Sequence, residues 1–127
     1  MAKGIETYTQ KEEGFKAVMS YGSWRIAMAN GPEVYRKKDV TSMGCHYETD
    51  EVFVLLKGSA VLLTAGNGAL PGEVEHTWME QGVLYNVTRG TWHNRIDMPG
   101  TQVLVVENDN TSAANSKDAD LAAPVGL

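Results

Sequence analysis

Short apolar runs, each broken off by turn-forming residues, constrain the fold of this chain more than any other feature. Gly, Pro and Asn separate them at intervals of roughly ten residues, which is typical of β-sandwiches and β-barrels. The clearest turn sequences are Ala-Gly-Asn-Gly at 65–68 and Met-Pro-Gly at 98–100. The predicted strands are 15–20, 24–29, 41–47, 52–56, 60–64, 75–79, 84–87, 93–97 and 102–107.

The same pattern argues against the other fold classes. No strand alternates with a long amphipathic helix, so a βαβ unit is not indicated. A chain of 127 residues has room for one compact core. We therefore predict a single all-β, antiparallel domain over 1–110, with 32–39 as a connecting loop. Residues 111–127 are predicted to form a polar tail or strap, with one loose helical turn at 118–123.

Charge and composition restrict the kinds of binding partner and the cellular location that we expect for this chain. The chain carries 11 basic and 16 acidic side chains, a net charge of -5, and its longest basic cluster is Arg36-Lys37-Lys38. Because such a chain repels phosphate backbones, we expect no nucleic-acid partner. The polar segment 1–10 does not resemble a signal peptide, and no long apolar run predicts a membrane span. The single cysteine fits a reducing compartment, so a cytoplasmic protein is predicted.

A polar cluster, GCHYETDE at 44–51, leads directly into the apolar run at 52–56. Side chains alternate along a strand, so His46 and Glu48 share one face and Cys45 takes the other. Cys45 is therefore predicted to be a packed thiol rather than a nucleophile activated by His46. Glu51 opens the following strand, where a carboxylate is costly to bury alone.

A second polar corner lies at 82–95, where a strand, a glycine turn and His93 follow one another. If His93 points inward, Arg95 and Asp97 share its face. Arg95 could then anchor an anionic group of a substrate. The alternative is that Arg95 lies near the rim and pairs with Asp97.

The spacing within these two segments resembles the motifs of the cupin superfamily. Glu51 is followed by six residues and Gly58, as at the end of the first cupin motif, and His93 stands three residues after Gly90, as in the second. The resemblance covers 44–97. It implies an antiparallel double-stranded β-helix, the cupin or jelly-roll barrel, with a metal site in its mouth.

This chain departs from the family where the first motif usually carries two histidines separated by one residue. Either His46 is the first histidine and Glu48 replaces the second, or His46 is the second and Gly44 replaces the first. Spacing to Glu51 favours the latter. The resemblance then implies metal ligation by His46, Glu51 and His93, a set that suits Fe, Mn, Zn or Ni. Glu48 would be a fourth ligand or a general base, and hence the catalytic candidate.

Large aromatic residues could line such a pocket. Tyr85 and Trp92 are the candidates for substrate binding, with Trp24 and Tyr35 also near the predicted mouth or core. Each could instead be ordinary core packing. His76 has no polar neighbour at ligand spacing and is predicted to lie on the surface.

Three functions are compatible with these residues. The first is an enzyme, an isomerase, lyase or dioxygenase, in which the metal polarises a sugar or organic acid while Glu48 moves a proton. The second is a metal-free module that binds or senses a small molecule without turnover. The third is a structural role in which barrel edges form a homodimer, and a homodimer is expected in any case.

Overall fold

Ten strands account for most of the chain in the computed structural model, which describes residues 2–37 and 39–127. Lys38, part of the predicted loop 32–39 and of the basic cluster, lies outside the described residues. A 3-10 turn, Ala113–Asn115, precedes the last strand. The strands are β1 Gly14–Tyr21, β2 Trp24–Asn30, β3 Val40–His46, β4 Glu51–Lys57, β5 Ala60–Thr64, β6 Glu75–Trp78, β7 Leu84–Val87, β8 His93–Asp97, β9 Gln102–Asn108 and β10 Ser116–Val125.

The strands form two five-stranded sheets with antiparallel pairing throughout. The first sheet has the order β1-β2-β9-β4-β7 and the second β10-β3-β8-β5-β6. The nine predicted strands are all present, with ends within one residue of the expected positions. The all-β antiparallel architecture is therefore confirmed. No helix among the described residues has the length and apolar character needed to cross a membrane.

The helical turn predicted at 118–123 is wrong, because this segment belongs to strand β10. Strand β10 pairs with β3 at the edge of the second sheet, so its backbone groups find partners there. Ala119 and Leu121, two residues apart, both pack against the apolar cluster on that face of the sheet. A period of two is the alternation of a strand rather than of a helix.

Two apolar clusters lie on opposite faces of the second sheet, as the alternation along β5 shows. Ala60 and Leu62 face the first sheet, whereas Val61 and Leu63 face away from it. Cys45 is buried in the outer cluster, as its parity predicts. The inner cluster, which is the barrel core, comprises Ala27, Ala29, Phe53, Leu55, Ala60, Leu62, Met79, Val87, Val103 and Val105.

Antiparallel pairing brings several strand ends together at one end of the barrel. Strand β4 begins at Glu51 and its neighbour β9 nearly ends at Glu107, with Val52 opposite Val106. In the second sheet, β3 ends at His46 and β8 begins at His93. The register of the two sheets therefore collects polar side chains at this end.

Candidate metal centre

Three side chains that the sequence singled out converge at the polar end of the barrel. His93 Nε2 lies 2.8 Å from Glu51 Oε1, and His46 Nε2 lies 3.4 Å from the same oxygen. Each residue offers one nitrogen or oxygen atom, and these three atoms all lie within 4.8 Å of one another. His46, Glu51 and His93 thus form a group that could hold a metal ion.

The remaining ring nitrogens are held by hydrogen bonds from neighbouring strands and turns. His46 Nδ1 lies 2.7 Å from Ser116 Oγ, and His93 Nδ1 lies 3.0 Å from the carbonyl oxygen of Thr91. These contacts fix the ring orientations and direct both Nε2 atoms towards Glu51. Partners of this kind commonly orient histidines that bind metals.

The contact between His93 and Glu51 requires either a proton or a metal ion. A carbonyl oxygen can only accept a hydrogen bond, so His93 Nδ1 must carry a proton to bond Thr91. In a neutral imidazole, Nε2 then offers a lone pair, and it faces a carboxylate oxygen 2.8 Å away. Two acceptors at that distance repel each other unless a proton or a metal ion lies between them.

The electrostatics of the group favour an ionised Glu51. Burial would raise the pKa of this carboxyl, but hydrogen bonds from His46, His93 and Glu107 hold the pKa well below its usual range. The hydrogen bond to Glu51 raises the pKa of His46, although burial of the ring acts in the opposite direction. A buried anion that attracts cations therefore forms the centre of the site.

Glu107 is a site residue that the sequence interpretation missed. It is 5% exposed, and its Oε1 accepts a hydrogen bond of 2.7 Å from Arg25 Nη2. Its Oε2 is buried and receives no N–H or hydroxyl donor from the described part of the chain. Burial, followed by the hydrogen bond with Glu51 and its charge, raises the pKa of Glu107 to about 7. Of the two interacting carboxyls, Glu107 therefore retains a proton more readily than Glu51.

A cavity of about 340 Å³ lies over the three converging side chains. Phe15 of β1 and Asp118 of β10, which belong to edge strands of the two sheets, are among its lining residues. A larger cavity of about 740 Å³ adjoins it, and the two share Ser42, Asn94 and Arg95 as lining residues. A bound molecule could therefore extend from the metal group past Arg95.

Arg95 lines the pocket and is also paired with Asp97. Its Nε and Nη2 donate to the two carboxylate oxygens of Asp97 at 2.6 and 3.2 Å. Its guanidinium carbon lies 5.3 Å from the centre of the Phe53 ring. Within residues 2–37 and 39–127, Nη1 has no hydrogen-bond partner and remains available to a ligand.

The other predicted site residues lie away from this group. Glu48 is exposed, and its carboxylate accepts a hydrogen bond of 3.0 Å from Asn115 Nδ2. Strand β3 ends at His46, so the alternation that placed Glu48 beside His46 does not extend to it. Tyr85 lines a separate cavity, and its hydroxyl accepts from the backbone N–H of Glu80.

Trp92 is a core residue rather than a wall of the pocket. Only 2% of it is exposed, and it belongs to the cluster on the outer face of the second sheet. Its Nε1 donates to the carbonyl oxygen of Gly68 at 2.9 Å. The ring is one residue from His93 and therefore faces the other way, which the sequence interpretation overlooked.

Comparison with known proteins identifies the fold through structure rather than through sequence. No protein-family model and no curated protein matches the chain. A cupin-2 domain protein from Shewanella frigidimarina superimposes with a TM-score of 0.55 at 13% identity, covering 79% of this chain and 84% of that one. An RmlC-like cupin with a double-stranded β-helix fold, from Methanocaldococcus jannaschii, gives 0.58 at 12% identity, covering 84% and 93%.

A sugar 3,4-ketoisomerase from Thermoanaerobacterium thermosaccharolyticum, in complex with TDP, is also similar. Its TM-score is 0.59 at 16% identity, over 73% of this chain and 64% of the ketoisomerase, so this chain spans less than two thirds of its length. Likeness at such low identity shows the fold. The predicted double-stranded β-helix is thereby confirmed.

Proposed function

Starting from the cupin fold of this chain, we propose that it binds a divalent transition metal through His46, Glu51 and His93. A small polar metabolite, a sugar or an organic acid, binds beside the ion in the barrel mouth. The observation that carries the proposal is the convergence of one ligand atom each from His46, Glu51 and His93, all within 4.8 Å of one another. Two histidines and one carboxylate suit Fe, Mn, Zn or Ni.

The protein groups around the three ligands support this role. Ser116 and Thr91 hold the outer ring nitrogens, so that both histidines direct Nε2 towards Glu51. Glu107, anchored by Arg25, interacts with Glu51 and restrains the orientation of its carboxylate. With three protein ligands the ion keeps open positions, and as a Lewis acid it would polarise an oxygen of the metabolite.

The cavities above the group support a small polar ligand. Their volumes of about 340 and 740 Å³ fall in the range of small-molecule sites. Arg95 Nη1 can donate to a carboxylate or hydroxyl oxygen, while Asp97 fixes the guanidinium plane. The similar structure is that of a sugar 3,4-ketoisomerase, which favours a sugar derivative. Isomerisation, elimination and dioxygenation are the reactions that such a site supports.

A metal-free binding module is the second candidate, and one distance favours it. At 2.8 Å, His93 and Glu51 are close enough to share a proton directly. The polar group would then be complete without an ion, and the cavity would bind its ligand through hydrogen bonds alone.

Metal analysis separates the two candidates. The protein is purified without chelators or nickel affinity resin, analysed for metals, and titrated with Mn²⁺ and Co²⁺. We expect near-stoichiometric binding, and chelation should lower the unfolding midpoint, since an ion at 100 times its Kd stabilises by about 2.7 kcal/mol. Fewer than about 0.1 ions per chain, with no binding on titration, would contradict the metal site and leave the metal-free module.

A further inference from the structure

Asp118 lies beside the candidate metal group although it comes from the far end of the chain. Strand β10 pairs with β3 so that Ser116 is opposite His46 and Asp118 is opposite Gly44. Cross-strand partners project from the same face of a sheet, as do residues two apart on one strand. Asp118 therefore projects from the same face as His46, and it lines the same cavity.

Gly44 leaves the space that Asp118 uses. A Cβ atom built on Gly44 would lie 3.1 Å from Asp118 Oδ1, so the carboxylate reaches over the glycine. The backbone of Gly44 is not in the left-handed region, and its conformation does not require glycine. Because Gly44 has no side chain, it leaves room on the cavity wall.

The Asp118 carboxylate is also free to move. It is exposed and forms no hydrogen bond or ion pair with the described residues. It is not a member of the group held within 4.8 Å, so a change of rotamer would be needed to bring it closer to an ion. Glu51 alone would leave a bound dication with a net positive charge, which a second carboxylate neutralises.

We propose that Asp118 is the fourth protein group of the metal site, facing the ion across the gap left by Gly44. This inference rests on the proposed function for the presence of the ion. It assigns a role to β10, whose Ser116 and Asp118 together supply one orienting contact and one acidic group. Two carboxylates and two histidines favour a hard or borderline dication such as Mn²⁺, Fe²⁺ or Co²⁺.

The first test compares two neighbouring acids on β10. Asp120 is also exposed and is opposite Ser42, but it does not line the cavity, so Asp120→Asn removes the same charge as a control. By titration calorimetry with Co²⁺, Asp118→Asn should bind about 10-fold more weakly or worse. Asp120→Asn should stay within about twofold of the natural chain, since Asp120 does not line the cavity and its exposed charge is screened.

The outcomes separate this inference from the proposed function. Equal affinities of the two variants would overturn the role of Asp118 while leaving metal binding intact. A natural chain that binds no Co²⁺ would instead contradict the proposed function, and this inference with it.

A rescue experiment tests whether Asp118 acts in the space that Gly44 leaves on the cavity wall. In Asp118→Ala the room beside Gly44 is vacated, and Gly44→His in that background would place an imidazole on the face of His46. The double variant should regain most of the lost Co²⁺ affinity, with altered visible absorption of the bound Co²⁺. A double variant that binds as weakly as Asp118→Ala, with a native circular dichroism spectrum, would contradict the assignment.

Discussion

The two ends of the barrel interior are built from the same strands but differ in chemistry. At one end, Leu55 of β4 lies opposite Val103 of β9, and both are almost completely buried. At the other end, the same two strands contribute Glu51 and Glu107, also buried. The contrast teaches that stability and candidate function are divided along the length of each strand rather than between strands.

The physical cost of the two ends differs accordingly. Apolar burial at the Leu55 end stabilises the fold without any demand for specific partners. At the Glu51 end, each buried charge needs a partner, because an uncompensated carboxylate is costly in the interior. We therefore expect substitutions at one end to change folding and at the other to change binding.

The largest effect on folding is expected from Leu55→Ala. Removing a fully buried leucine should lower the free energy of unfolding by about 2–5 kcal/mol, through lost burial and a residual cavity. Urea denaturation of the metal-free protein measures it, with the exposed Leu70→Ala as control. Co²⁺ affinity of the folded variant should be unchanged. If Leu55→Ala weakened Co²⁺ affinity while its stability stayed normal, the division of the barrel into a folding end and a binding end would be contradicted.

His93→Gln is expected to weaken metal binding while leaving folding almost unchanged. The amide retains a donor for Glu51 but is a poor metal ligand, so Co²⁺ affinity should fall about 100-fold, or about 2.7 kcal/mol. Unfolding of the metal-free protein should change little. His76→Ala is the matched control, because His76 is exposed on β6 and lies outside the group. Similar losses from both variants would mean that Co²⁺ binds elsewhere.

A smaller effect is expected from Glu107→Gln. An amide can donate to Glu51 as a protonated carboxyl does while still accepting from Arg25, so the cost near neutral pH should stay below about 1 kcal/mol. Glu107→Ala removes both contacts and should cost more. Denaturation of the metal-free proteins distinguishes the two, and equal losses would contradict a protonated Glu107.

The stability of Glu107→Gln relative to the natural chain is expected to depend on pH. The pKa of Glu107 is raised by folding to about 7, so the folded state holds this proton more tightly than the unfolded chain does. The resulting stability is complete below the unfolded pKa and is lost as pH rises towards 7. Glu107→Gln has no such proton, so it should gain stability relative to the natural chain over this interval. If the difference in unfolding free energy between Glu107→Gln and the natural chain did not change with pH, the raised pKa of Glu107 would be contradicted.

Local spacing was sufficient to predict the strands, and the resemblance of the 44–97 spacing to cupin motifs implied the three converging residues. Glu51 and His93 are marked by glycines close in sequence, Gly58 and Gly90, so their positions could be read without knowing which strands pair. Glu48 was misplaced because alternation was carried past the end of β3 at His46. Predicting an element does not predict where it stops.

Residues brought to the site by distant pairing could not be predicted in this way. Glu107 reaches Glu51 only through the pairing of β4 with β9, and Asp118 reaches Gly44 only through β3 and β10. One signal was present for Glu107, since it continues the inward row of Val103 and Val105. No comparable signal marked Asp118, whose segment was expected to include a helical turn.

The hydrogen bond between His46 and Ser116 joins residues 70 positions apart in the sequence. Strand β10 lies at the edge of the second sheet and has β3 as its neighbour, so the other strands can pair without it. During refolding we expect the central strands to collapse before β10 docks on β3, so that one imidazole of the site is still unrestrained in an otherwise formed barrel. Competence to take up an ion would then be acquired last, together with completion of the outer apolar cluster of Trp92 by Ala119 and Leu121 of β10.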